Sequence, residues 1–132
     1  MPLNKRCYTR IYGAAMTTMD IEQTYQLGFQ LRCDGRYPEA RQALDRVLAV
    51  DPEHVDAKHQ IGLIQGFEGD FDGSLATLAD LSGKNPHNLN LRYDLAMTQM
   101  MLGLFDEACA NFRHILAVNP SHELAQRQAA YC

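Results

Sequence analysis

The stretch Leu89–His122, LNLRYDLAMTQMMLGLFDEACANFRHILAVNPSH, decides the fold, because the 68 residues before it say the same thing twice. Those copies are Ile21–His54 (IEQTYQLGFQLRCDGRYPEARQALDRVLAVDPEH) and Val55–Asn88 (VDAKHQIGLIQGFEGDFDGSLATLADLSGKNPHN). Pro52, Pro86 and Pro120 are each 34 residues apart, and so are Gly35, Gly69 and Gly103. On that period Leu27-Gly28, Ile61-Gly62 and Leu95-Ala96 fall into register. So do Tyr37, Phe71 and Phe105; Ala40, Ser74 and Ala108; Leu44, Leu78 and Phe112; and Val47, Leu81 and Ile115.

Each copy reads as two helices, A and B. In the first, helix A covers about 21–34, with Thr17, Thr18 or Asp20 as N-cap. Leu27 and Leu31 share one face, and Gly28 stands where the neighbouring helix comes close. Gly35 suits the left-handed C′ position that a side chain resists. Pro38 falls in the first turn of helix B, where its missing N–H costs nothing. Helix B then spaces Ala40, Leu44, Val47 and Leu48 helically and ends before Asp51-Pro52, since a residue preceding proline leaves the α region. The second copy is the weakest, with Gly62, Gly66, Gly73 and Gly83 in or beside its helices, each interior Gly costing about 1 kcal/mol against Ala. After Asn119-Pro120 the phase continues, and 123–132 is expected as a capping helix whose buried contacts are Leu124 and Tyr131. Residues 1–20 show no repeat and are expected as a basic tail, flexible or partly helical.

The pattern resembles the tetratricopeptide repeat, a 34-residue helix–turn–helix unit marked by Leu-Gly, Tyr, Ala, Phe and Pro in order. The Trp of that signature is replaced by Thr24, Lys58 and Arg92. The resemblance implies an all-α, right-handed α-solenoid of antiparallel helix pairs. It also implies a function in binding other proteins, with repeats at 21–54, 55–88 and 89–122.

Bulk properties narrow the class. With 46% hydrophobic and 21% charged residues, the composition is that of an ordinary globular domain. Lys5, Arg6 and Arg10 precede the first acid, Asp20, so the remaining 112 residues carry nine bases against fifteen acids. An acidic body argues against a nucleic-acid partner. No apolar run approaches the ~18 residues of a membrane span, and no h-region follows the N-terminal bases, so no secretory signal is expected. Cysteines at 7, 33, 109 and 132 form no CxxC pair. That spacing suggests neither a zinc site nor a disulfide framework, and reduced thiols in a cytoplasmic protein are the expectation.

Catalytic and metal chemistry is not expected. Of five histidines, His54, His87 and His122 fall in the turns after each proline, and no pair has the i,i+4 spacing of a helical zinc site. Solvent-facing structural roles are expected for them. Asp70 with Asp72, and Asp106 with Glu107, favour the N-termini of the B helices electrostatically. No nucleophile elbow or phosphate-binding loop occurs, so neither an enzyme nor a cofactor is expected.

The resemblance places the binding residues. Repeat positions 2, 5, 9, 12 and 13 of the A helices face a concave groove in this family. Among them are Tyr25, Phe29 and Arg32 from the first copy, His59, Leu63 and Phe67 from the second, and Asn90, Tyr93, Met97 and Met101 from the third. Four half-exposed aromatic rings would show roughly 300–500 Å², the scale at which an apolar patch marks a binding site, and methionines add a surface that re-packs around ligands. The expected partner is an apolar or amphipathic protein segment. Chaperone C-terminal tails are disfavoured, because the family's carboxylate-gripping positions here hold Tyr25, Phe29, Gln60, Asn90 and Asp94, which supply no cation. The alternatives are a homo-oligomeric scaffold and a dedicated chaperone of the bacterial secretion type.

Overall fold

The computed structural model describes residues 17–132, so most of the expected tail, residues 1–16, lies outside the described residues. Seven helices follow: α1 Thr18–Cys33, α2 Tyr37–Val50, α3 Val55–Phe67, α4 Phe71–Lys84, α5 Leu89–Met101, α6 Phe105–Val118 and α7 Glu123–Ala129. No strand occurs among the described residues. The described residues divide after Ala57 into two compact units.

Local chemistry explains the boundaries. Thr17 caps α1: its hydroxyl accepts from the Asp20 N–H at 3.1 Å, and the Asp20 carboxylate accepts from the Thr17 N–H at 3.3 Å. This reciprocal capping box selects Thr17 among the three expected N-caps and starts the helix at Thr18, within the expected tail. Gly35, Gly69 and Gly103 have φ of 78°, 93° and 80°, as a left-handed C′ residue requires. At each, the next residue's N–H reaches back five residues (Arg36 to Leu31, Asp70 to Gln65, Leu104 to Gln99), closing a Schellman motif. The interior glycines of α3 and α4 do not interrupt those helices.

In the first unit, Ala40, Ala43, Leu44 and Val47 form the buried face of α2. They meet α1 at Gly28, where an added Cβ would come within 2.8 Å of the Leu44 side chain. The α1 face differs from expectation: Tyr25 and Gly28, three residues apart, are buried, whereas Leu27 is exposed. In the second unit, Gly62 meets Leu78 in the same way at 3.0 Å. Ala96, Ala108, Phe112, Ile115 and Ala125 make one buried cluster, with Tyr93, Met97, Met100 and Ala129 packed against it.

Two expectations are corrected here. Helix α7 does cap α6, but through Ala125, which is fully buried, while Leu124 is 48% and Tyr131 80% exposed. The phase gives the reason. Ala125 continues the column of Ala57 and Leu91, both fully buried, and Leu124 continues the exposed column of Asp56 and Asn90. The cysteines are not all free: Cys109 and Cys132 are disulfide-bonded, with Cα atoms 5.9 Å apart. The repeat geometry returns the end of the α7 segment to α6, a proximity invisible in a 23-residue spacing. Cys33 is a free, exposed thiol. The cytoplasmic expectation loses the support that four reduced thiols would have lent it.

Candidate functional site

The A helices α1, α3 and α5 present the candidate residues, and one column of the repeat sets the starts of α3, α5 and α7. Residues 54, 88 and 122 precede those three helices. Nδ1 of His54 accepts from the Ala57 N–H at 3.0 Å, the Asn88 side chain from the Leu91 N–H at 3.2 Å, and Nδ1 of His122 from the Ala125 N–H at 3.1 Å. Each cap thus satisfies the N–H of the first fully buried residue of its helix, which water cannot reach. An acceptor nitrogen carries no proton, so both capping imidazoles are protonated on Nε2.

The same histidines hold aromatic rings. Within the first unit the His54 ring lies 5.3 Å from that of Tyr25. Within the second, His122 lies 5.9 Å from Tyr93, whose other neighbour is Phe112, also at 5.9 Å. The middle copy departs from this pairing, with His59 in the Tyr column and Asn88 in the His column. Nε2 of His59 instead lies 2.6 Å from Oδ2 of Asp94, tying α3 to α5. The solvent-facing role expected for these histidines is therefore corrected: His59 is buried, and His54 and His122 are half-buried caps.

The candidate residues divide by unit. In the first, Tyr25 is only 9% exposed. Phe29 is half-buried, its ring 6.3 Å from that of Tyr25, with the Arg32 guanidinium stacked over it at 5.1 Å, a cation–π contact. In the second, His59 is engaged with Asp94, and Tyr93 and Met97 pack on the Phe112 cluster while remaining partly open. Leu63 is half-buried and Asn90 exposed. Phe67 and Met101 are 57% and 64% exposed. These two occupy the same repeat position, the last residue of α3 and of α5. Burial, and then the charge of Asp94, push the Tyr93 phenol above its ordinary pKa, with Arg127 pulling weakly the other way.

The seam between A and B helices carries polar chemistry that the apolar registers do not reveal. Thr77 Oγ1 donates to Gln65 Oε1 at 2.8 Å, and one repeat later Asn111 Nδ2 donates to Gln99 Oε1 at 2.7 Å. Arg92, in the missing-Trp slot, donates from Nη1 to Asn111 Oδ1 at 2.9 Å, while its Nε is buried without a partner. A sequence signal for this seam exists: Gln65 and Gln99, and Thr77 and Asn111, each recur at the 34-residue period. Among the described residues no three His, Cys, Asp or Glu side chains converge as metal ligands. No helix among them is long and apolar enough to cross a membrane.

Comparison with known proteins agrees with this architecture. The family model of the tetratricopeptide repeat matches residues 68–131. Similar solved structures include MamA of AMB-1, 28% identical with a TM-score of 0.67, covering 85% of this chain and 61% of that one. PcrH from Pseudomonas aeruginosa is 18% identical with a TM-score of 0.73, covering 89% of each chain. PcrH in complex with the chaperone binding region of PopB is 22% identical with a TM-score of 0.75, covering 89% of this chain and 98% of that one. The present chain thus spans about three fifths of the MamA chain, and its likeness to PcrH is one of fold alone. No curated protein matches in sequence.

Proposed function

Because this chain is a tetratricopeptide-repeat protein, we propose that it is a non-catalytic module that binds an apolar or amphipathic segment of another protein on its A-helix face. The observation that carries this is the exposure of Phe67 and Met101 at equivalent ends of α3 and α5. Large apolar side chains that keep more than half of their surface in water favour a partner that covers it. Leu63, Met97 and Tyr93, each half-buried on the same helices, extend the apolar surface, and Asn90 supplies a polar group for register. In the first unit, Phe29 with Arg32 above it forms a second, smaller contact point. Tyr25 and His59 act from beneath, holding the face rather than touching the ligand. The His59–Asp94 pair is structural in this reading, a clasp between helices rather than a proton-transfer dyad.

The dedicated-chaperone reading is favoured by one observation. The PcrH structure of which 98% is covered contains the chaperone binding region of a second protein. Both readings need the same face and differ in ligand range, a chaperone taking one partner and a general module taking several.

The test is selection from a displayed peptide library against the whole chain, with the Phe67→Ser/Met101→Ser double variant as counter-target. Both positions are exposed, so the variant should keep its helical circular dichroism. Enrichment of apolar peptides that lose about tenfold or more in affinity on the variant supports the proposal. Failure to enrich any peptide, or equal binding to both proteins, overturns it. One dominant motif would favour the chaperone reading, and several unrelated ones the general module.

A further inference from the structure

We propose that the Cys109–Cys132 bond is a redox-operated latch on α7: oxidised, it pins the helix over the apolar face of α6, and reduction by a thiol releases it. The helix is seven residues long, far below the length at which a helix persists in water without tertiary support. Its own grip is small. Ala125 is its one fully buried residue, Ala129 is partly buried, and the large side chains Leu124 and Tyr131 are exposed. Two anchors therefore hold it. At its start, His122 caps the Ala125 N–H and lies against Tyr93. Beyond its end stands the bond from Cys132 to Cys109 of α6.

The repeat shows what that second anchor replaces. Position 132 continues the column of Ile64 and Thr98, both buried side chains on full-length A helices. Helix α7 ends at Ala129, three residues short of that position, and the bond ties the segment after it to α6. Beneath lie Ala108, Phe112 and Ile115, all fully buried. Cys132 is exposed, so a reductant can reach the bond without prior unfolding. The step is ordinary thiol–disulfide exchange. A reductant thiolate attacks one sulfur, forming a mixed disulfide and releasing the other as a thiol; a second reductant thiolate then attacks the reductant's own sulfur in that mixed disulfide, and the remaining protein cysteine leaves as a thiol. Two electrons and two protons pass to Cys109 and Cys132, and two reductant thiols become one disulfide.

Hydrogen exchange on the full chain, with and without dithiothreitol, tests this. Mass and peptide mapping should first show a bond joining Cys109 to Cys132 that gains two hydrogens on reduction. A chain carrying only thiols, or a bond to Cys7 or Cys33 instead, overturns the assignment. On reduction, amides of 123–130 should exchange about tenfold or more faster, while α1 and α2 hold their protection as an internal control for folding. Trypsin should then cut after Arg127 sooner, and an apolar dye should brighten as the Phe112 face opens. The Cys109→Ser/Cys132→Ser variant should reproduce the reduced pattern without reductant. Equal protection of α7 in the oxidised and reduced parent, or in the variant and the oxidised parent, overturns the latch.

Discussion

The first hairpin, α1–α2, and the third, α5–α6, follow one backbone plan and fill its seam differently. Where the first places Gly28 against Leu44, the third has Ala96 with Phe112. Where the first carries Leu31 and Ala43, the third carries Gln99 and Asn111, hydrogen-bonded and joined by Arg92. One hairpin is sealed by close apolar approach, the other by a larger ring and a polar chain. The repeat therefore keeps spacing rather than chemistry, and any pairing that fits the gap and leaves no polar group bare can occupy it. The middle hairpin is mixed, with the Gly62–Leu78 approach of the first and a Gln65–Thr77 bond like that of the third.

That difference can be broken at the ring first. Phe112 is fully buried, and Phe112→Ala should cost about 3–5 kcal/mol, the range for large aromatic truncations in cores. Chemical denaturation followed by circular dichroism measures it; a loss under about 1 kcal/mol would mean that the third hairpin does not depend on its ring. Next comes the polar chain. Asn111→Ala strips the partner from both Gln99 and Arg92, whose Nε already lacks one, and should cost about 1–3 kcal/mol. The same change at Thr77, which satisfies one partner only, should cost less. Equal losses would show the Arg92 link to be idle.

The close approach gives a smaller and sign-dependent effect. Gly28→Ala gains about 1 kcal/mol of helix propensity but sets a Cβ 2.8 Å from Leu44 Cγ and Cδ2, and overpacking of that kind costs about 1–3 kcal/mol. A net loss is expected. Gly83, with nothing within 4 Å of its added Cβ, should show the gain alone. If both substitutions stabilise equally, Gly28 is not a contact residue. Smaller still is the cap column. His122→Ala should cost about 1 kcal/mol and His122→Asn only a few tenths, because Asn88 already performs the same capping one repeat earlier.

What is legible in the amino-acid sequence follows the same division between spacing and chemistry. The 34-residue phase places the Gly35, Gly69 and Gly103 turns and the buried columns of Leu44 and Val47, because backbone geometry and apolar burial leave periodic marks. The buried face of α1 is harder to read, since Leu27 outranks Tyr25 in hydrophobicity while lying on the less buried side. Cap contacts at Leu124 and Tyr131 fail for a similar reason: size points to them, whereas the column of Ala57, Leu91 and Ala125 holds the answer. The Cys109–Cys132 bond leaves no local trace, since it depends on how the α7 segment returns to α6. Of the candidate face, the repeat position names Phe67 and Met101 only among ten residues, and it is their exposure that sets them apart. The service of His54 and His122 as caps stays hidden because histidine is an uncommon N-cap.

The ring pair at Tyr93 adds a pH handle on the third hairpin. Its folded pKa lies above the usual 10, first through burial and then through the Asp94 charge. The folded state thus keeps a proton that the unfolded chain begins to release near pH 10. Tyr93 supplies its full contribution below that pH, and the contribution falls as pH rises through the folded value. Subtracting the stability curve of Tyr93→Phe, which has no phenol to ionise, from that of the parent isolates this residue from the other tyrosines. The difference should be flat up to about pH 10 and then fall, by a small amount because the ring is partly open to water. Arg127→Gln, which removes the one opposing charge and so raises the folded value further, should leave the onset near pH 10 and deepen the fall. A difference that rises above pH 10 would place the phenolate, rather than the phenol, as the form the folded hairpin prefers, and the Asp94 side of the site would have to be redrawn.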